Sequence, residues 1–185
     1  MHNNPLSRLE YEDVVRACGG DDLIGSIAEA LEPLWCDEYY DRNPQAELLS
    51  VSLSDCGTTF TYIFDLKLGR VVVSYGIPVY SAQLRVAARM AGHPLEKGKG
   101  LHRGHLMANS IGGGTDINLV PQLGKLNVGE FRKLERLARE KALQNQRCLY
   151  FVRCLYSDDS QRPWKFEQCV ISPPRVVDYA LHSNI

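Results

Sequence analysis

Leu101-His102-Arg103-Gly104-His105-Leu106-Met107-Ala108 runs into Asn109-Ser110-Ile111 and then Gly112-Gly113-Gly114, which reads as an extended segment closed by a sharp reversal. Asn118-Leu119-Val120-Pro121-Gln122 follows and leads to the longest helical pattern of the chain, over residues 127–144. Phe131, Leu134 and Ala138 form the i, i+3, i+7 stripe that seats such a helix on a sheet. An extended segment carrying His105, packed against a helix carrying Glu135, brings a base and an oxygen ligand together.

The residue types fit one chemistry. His102 and His105 supply imidazoles, the side chains whose ordinary titration falls near neutral pH. Asn118, Asn127 and Glu135 supply hard oxygens of the kind Mg2+ accepts. Asn127 opens the expected helix, where it also suits an N-cap, and Glu135 lies about 80° around and two turns along. Arg139 stacks one turn beyond Glu135 in the order that favours pairing. Arg103, beside Gly104, has the planar fork to hold a phosphate bidentately. A general base beside a hydrated Mg2+ is suited to cutting phosphodiesters.

Composition bounds the answer. The 185 residues are 44% hydrophobic and 23% charged, an ordinary globular make-up with enough chain for one real core. The N-terminus lacks the basic start and apolar run of a signal peptide, and no stretch approaches the ~18 apolar residues of a membrane span. The net charge of -1 conceals a split. Residues 1–65 hold 3 Lys/Arg against 13 Asp/Glu, whereas residues 66–154 hold 15 against 5. A polyanion is therefore expected to dock on the middle segment. Six cysteines without a Cys-x-x-Cys are expected to be free, partly buried thiols.

Periodicity organises the rest. Helices are expected over residues 8–17 and 22–34, with a polar connector over Asp37 to Gln45. Strands are expected at 47–53, 58–66, 70–75, 148–155 and 166–172, and a short helix at 82–91 ahead of a Gly-rich loop at 92–100.

His-Arg-Gly-His at 102–105, Asn118 to Gln122, Asn127-Val128-Gly129 and Glu135 together resemble the DNA/RNA non-specific endonuclease family, the ββα-metal nucleases. The likeness spans Leu101 to Arg139, with one departure: the family's Asp or Asn before Arg-Gly-His is here His102. It implies an α+β fold, one domain over residues 1–185 with an antiparallel sheet, flanking helices and a ββα-metal motif. Residues 1–45 would be an acidic helical part and 58–155 the catalytic core. It further implies cleavage of DNA and/or RNA with little sequence preference. His105 would be the general base, and Arg103 and Arg139 would hold phosphate oxygens. Asn127 would ligate Mg2+ or a substituting Mn2+, Glu135 would act on it through water, and His102, Asn118 and Gln122 would support the site. Such domains often serve as toxins delivered to rival cells by a secretion system and restrained by an immunity protein. Without delivery the chain is expected in the cytoplasm, away from membrane. The alternative, motivated by His102, is an inactive nucleic-acid- or partner-binding module on the same fold.

Overall fold

The computed structural model describes residues 4–82, 100–114 and 116–185. Its frame is a six-stranded antiparallel sheet in the order β1-β2-β3-β6-β7-β8. The strands are β1 (Leu48–Asp55), β2 (Thr58–Asp65), β3 (Arg70–Gly76), β6 (Leu149–Leu155), β7 (Lys165–Ser172) and β8 (Val176–Ser183). A second sheet is the antiparallel ribbon of β4 (Leu101–His105) and β5 (Leu119–Leu123). It lies within the long excursion between β3 and β6, as do α3 (Gly124–Val128) and α4 (Phe131–Leu143). The fold is α+β, and β4, β5 and the helices after them form a ββα unit.

Helices α1 (Arg8–Ala17) and α2 (Leu23–Tyr40) cover one face of the large sheet. Ser7 caps α1 in a capping box with Glu10, which satisfies two of the free backbone donors at its start. The rings of Tyr11 and Trp35 lie 5.0 and 4.8 Å from that of Phe151, whose neighbours Leu149 and Arg153 share its face of β6. On the opposite face Phe131 of α4 meets Phe166 edge-on at 5.6 Å. Covered on both sides, β6 is buried at every residue, so the period-2 alternation of a half-exposed strand is absent from Leu149 to Leu155.

The helical face holds a buried ion pair. Arg153, 1% exposed, donates to Glu167 at 3.0 Å, and the Tyr11 hydroxyl donates to the same carboxylate at 2.9 Å. Trp35 Nε1 donates in turn to the Tyr11 hydroxyl, which ties both helices to the sheet's polar centre. Burial pushes the Glu167 carboxyl up, and Arg153 and Tyr11 oppose that shift.

Three local expectations change. Helix α2 continues through the supposed connector to Tyr40, because Trp35 and Tyr39 extend the buried stripe of Ile24, Ile27 and Leu31. Pro33, on the exposed side, interrupts one hydrogen bond without ending it. The single helix expected over 127–144 is two. Gly129 breaks it at φ -110 and ψ -108, where a Cβ would stand 2.6 Å from the Lys125 carbonyl oxygen. Strand β8 is not among the expected strands, since Asp178, His182 and Ser183 interrupt its apolar pattern. The helix expected at 82–91 and the loop at 92–100 fall almost wholly outside the described residues.

Arg153→Leu strands Glu167 in the core and is expected to lower unfolding free energy by about 3–5 kcal/mol in urea titrations. Adding Glu167→Leu should recover most of that loss; a double variant as unstable as the single one would show that packing, and not the stranded charge, sets the penalty.

Candidate active site on the β4–β5 ribbon

The ribbon's register sorts the candidate residues. His102 pairs with Gln122, Arg103 with Pro121, Gly104 with Val120 and His105 with Leu119. Because successive side chains alternate, Arg103 and His105 share one face of β4, and His102, Gly104 and Gln122 share the other. His105 is buried, 7% exposed, at the strand's end, whereas His102 is exposed.

Asn118 holds the turn after His105. Its side-chain oxygen accepts from Met107 N at 2.7 Å, and its amide donates to the carbonyls of Met107 at 2.6 Å and Gly114 at 2.7 Å. Its backbone carbonyl accepts from Leu106 N at 3.0 Å. Gly113 packs so closely on Met107 that a Cβ would lie 2.0 Å from that carbonyl oxygen, so the glycine run is a reversal and not a phosphate cradle. Asn118 is thus a structural clamp with no reach to spare for a ligand.

Asn127 lies in the last turn of α3, not at the start of the long helix, so its helical-wheel relation to Glu135 does not hold. It sits beside His102 instead, Nδ2 to Nδ1 3.4 Å. The His102 ring packs over Gly124, where a Cβ would stand 2.7 Å from Nε2. Gln122 is fully buried with its amide folded over Gly104, and among the described residues neither its nitrogen nor its oxygen has a hydrogen-bond partner. Glu135 and Arg139 are half-buried on α4, and the Arg139 guanidinium lies 5.1 Å from the centre of the Tyr80 ring. Burial pushes the pKa of the Tyr150 hydroxyl up, and the Glu135 charge adds to that shift.

Sequence reading missed the supports beneath the ribbon. Gln168 of β7 donates from Nε2 to the Phe131 carbonyl at 2.9 Å and to the Tyr150 hydroxyl at 2.7 Å. Tyr150 donates to the Leu106 carbonyl at 3.4 Å, next to His105. The Gln168 oxygen accepts from His182 Nε2 at 2.8 Å. Asn184, also fully buried, grips β5 through Leu123 N at 2.8 Å and the Pro121 carbonyl at 3.0 Å. No motif marks these residues, and only their depth in the fold reveals them.

The donor chemistry suits a largely hydrated hard cation. Among the described residues no group of three or more His, Cys, Asp and Glu is placed to hold a metal ion. Asn127 and Glu135, each half-buried, offer oxygens, and the buried Gln122 amide is a polar group that a bound water would satisfy. His102 and His105 point to opposite faces and do not form a pair of ligands to one ion.

The family model for DNA/RNA non-specific endonucleases matches residues 78–171, half of the chain, and the protein belongs to that family. The match begins before the ribbon and ends with β7, so it contains every candidate residue and Gln168, but neither His182 nor Asn184. No individually curated protein matches the chain. The family makes this a nuclease of the hydrolase class acting on nucleic acid, in a class generally dependent on divalent metal.

Burial holds the His182 pKa below its ordinary 6.5; Glu130 opposes the shift and Lys133 adds to it. Its neutral form is therefore favoured in the fold, and the unfolded chain takes up the proton first as pH falls. The stability it contributes is full above about 6.5, is lost as pH falls through the lower folded value, and changes no further below that. In urea titrations across this range, His182→Gln should flatten the wild-type loss on acidification; an identical slope would remove His182 as a source.

Proposed function

We propose that the protein is a metal-dependent endonuclease that hydrolyses DNA and/or RNA with little sequence preference, with His105 as general base. The observation that carries this is the burial of His105 at the end of β4, within the family-matched segment, with Arg103 on the same face and the Asn118 clamp fixing the turn behind it.

His105 takes the proton from the attacking water, which a neutral imidazole does near pH 7, so activity should fail in acid. Arg103 holds a non-bridging phosphate oxygen, and Arg139 reaches a second from its place over Tyr80. The outer edge of β4 pairs with no other strand among the described residues. A phosphate lying along that edge meets His105 and Arg103 from one face and Asn127 from the other. Mg2+, with Mn2+ as its substitute, supplies charge neutralisation of the phosphorane and the leaving oxygen when bound. Asn127 would hold it, Glu135 would orient water around it from α4, and His102 and Gln122 would support it from the face of the ribbon beside Asn127.

Charge follows the two faces of the large sheet. The acidic α1 and α2 lie on one, and the basic α4, with exposed Arg132, Lys133 and Arg136, lies on the other. Backbone contacts on that basic side need no base readout, in keeping with low sequence preference. A nuclease this unselective needs restraint in the cell that makes it, and the role we assign is that of a toxin or effector domain held by an immunity protein. Residues 1–185 act as one nuclease domain in this reading, because the sheet runs unbroken from β1 to β8 through the matched segment.

His105→Ala is expected to lower cleavage by about three orders of magnitude or more with the melting temperature nearly kept, since base catalysis contributes roughly 10²–10⁴ and positioning adds to it. His102→Ala should cost less and should raise the metal concentration needed. The opposite ranking would make His102 the base, and unaltered cleavage in both would favour the binding-module alternative.

A further inference from the structure

The polar cluster on the other face of the ribbon has no use in base catalysis. His102, Gln122 and Asn127 meet there, built by three separate constraints. Gln122 stands directly across the ribbon from His102. Gly124 leaves room for the imidazole to lie on the backbone, since a Cβ there would stand 2.7–3.2 Å from its ring atoms. Helix α3 brings Asn127 to 3.4 Å from His102 Nδ1.

Two features of this cluster point to a ligand. The first is the separation of the two donors. Adjacent ligands of an octahedral ion, each about 2.2 Å from the metal, lie roughly 3.1 Å apart, close to the observed spacing. Nitrogen and oxygen of an Asn amide are interchangeable by a half-turn, so the Asn127 atom facing His102 is free to be its oxygen. The second is Gln122, the partner of His102 across the ribbon, fully buried with its amide over Gly104 and no hydrogen-bond partner for either amide atom among the described residues. A buried amide left without partners is destabilising, and bound water relieves it.

We propose that His102 Nδ1 is a direct ligand of the catalytic cation together with Asn127, with Gln122 hydrogen-bonded to a metal-bound water. This deepens the nuclease reading, on which the word catalytic rests; the metal site itself stands on the cluster. An imidazole nitrogen in place of a carboxylate oxygen softens the donor set. Imidazole binds first-row transition ions better than it binds Mg2+, so the site takes Mn2+ ahead of Mg2+. His102 thereby becomes a residue that determines metal choice.

The test uses the full chain, freed of metal by chelator, titrated with Mn2+ and separately with Mg2+ by calorimetry and followed by electron paramagnetic resonance of bound Mn2+. Wild-type protein should bind Mn2+ at least roughly tenfold more tightly than Mg2+. Its bound Mn2+ should show nitrogen hyperfine coupling from an imidazole. His102→Asp should retain binding, lose that coupling and narrow the preference about tenfold, whereas His102→Ala should lose the coupling and weaken Mn2+ binding. Since His102 is exposed, both variants should melt near the wild-type temperature. Wild-type Mn2+ binding without nitrogen coupling overturns the proposal, as does coupling that survives in His102→Ala, which would move the ligand to another histidine. Absence of Mn2+ binding overturns it too. Cleavage is scored separately: wild-type cleavage without nitrogen coupling removes only this inference, and coupling without cleavage under any metal removes only the nuclease reading.

Discussion

One buried amide holds the parts of the site in register. Gln168, midway along β7, spends both hydrogens of its Nε2 on structure: one on the carbonyl of Phe131, where α4 begins, and one on the hydroxyl of Tyr150. Tyr150 passes the link to the Leu106 carbonyl, beside His105. The two halves of the ββα unit therefore depend on a single side chain of β7, which His182 secures from β8. In a dry interior each of these hydrogen bonds is hard to replace, because a broken one leaves a polar group with no water to turn to. Asn184 does the same for the ribbon's second strand.

The ββα unit thus stands on a platform with stabilising contacts of its own. The platform has its own buried ion pair, Arg153 with Glu167, and its own pair of helices. Sequence charge follows this division, with the acidic helices on one side of the sheet and the basic helix on the other. A chain with a net charge of -1 can in this way present a cationic surface to a polyanion.

Much of this was legible in the sequence, and for physical reasons. Strong β-branched and aromatic runs gave β2, β3, β6 and β7 to within a few residues, and periodicity gave α1. The spaced motif from His102 to Glu135 carries the likeness to the family whose model matches residues 78–171. What was not legible depends on tertiary placement. Gly129 reads as tolerable within a helix, yet the chain turns there and moves Asn127 from the opening of the long helix to the side of His102. The polar residues Gln168, His182 and Asn184 look like surface residues in sequence and lie in the interior because each has its hydrogen bonds met there. Asn118, expected among the supporting residues, holds the turn after His105, and only the three hydrogen bonds of its side chain reveal how.

The central claim is that the ribbon carries a cation-dependent phosphodiesterase. The direct measurement is wild-type cleavage of supercoiled plasmid and of a long RNA, without metal, with Mg2+, with Mn2+, and with chelator added after metal. Cleavage of at least one polymer that needs the cation, stops with chelator and leaves ends scattered over sequence is the expected result. Intact substrates under every metal condition, from protein shown to be folded, would contradict the account.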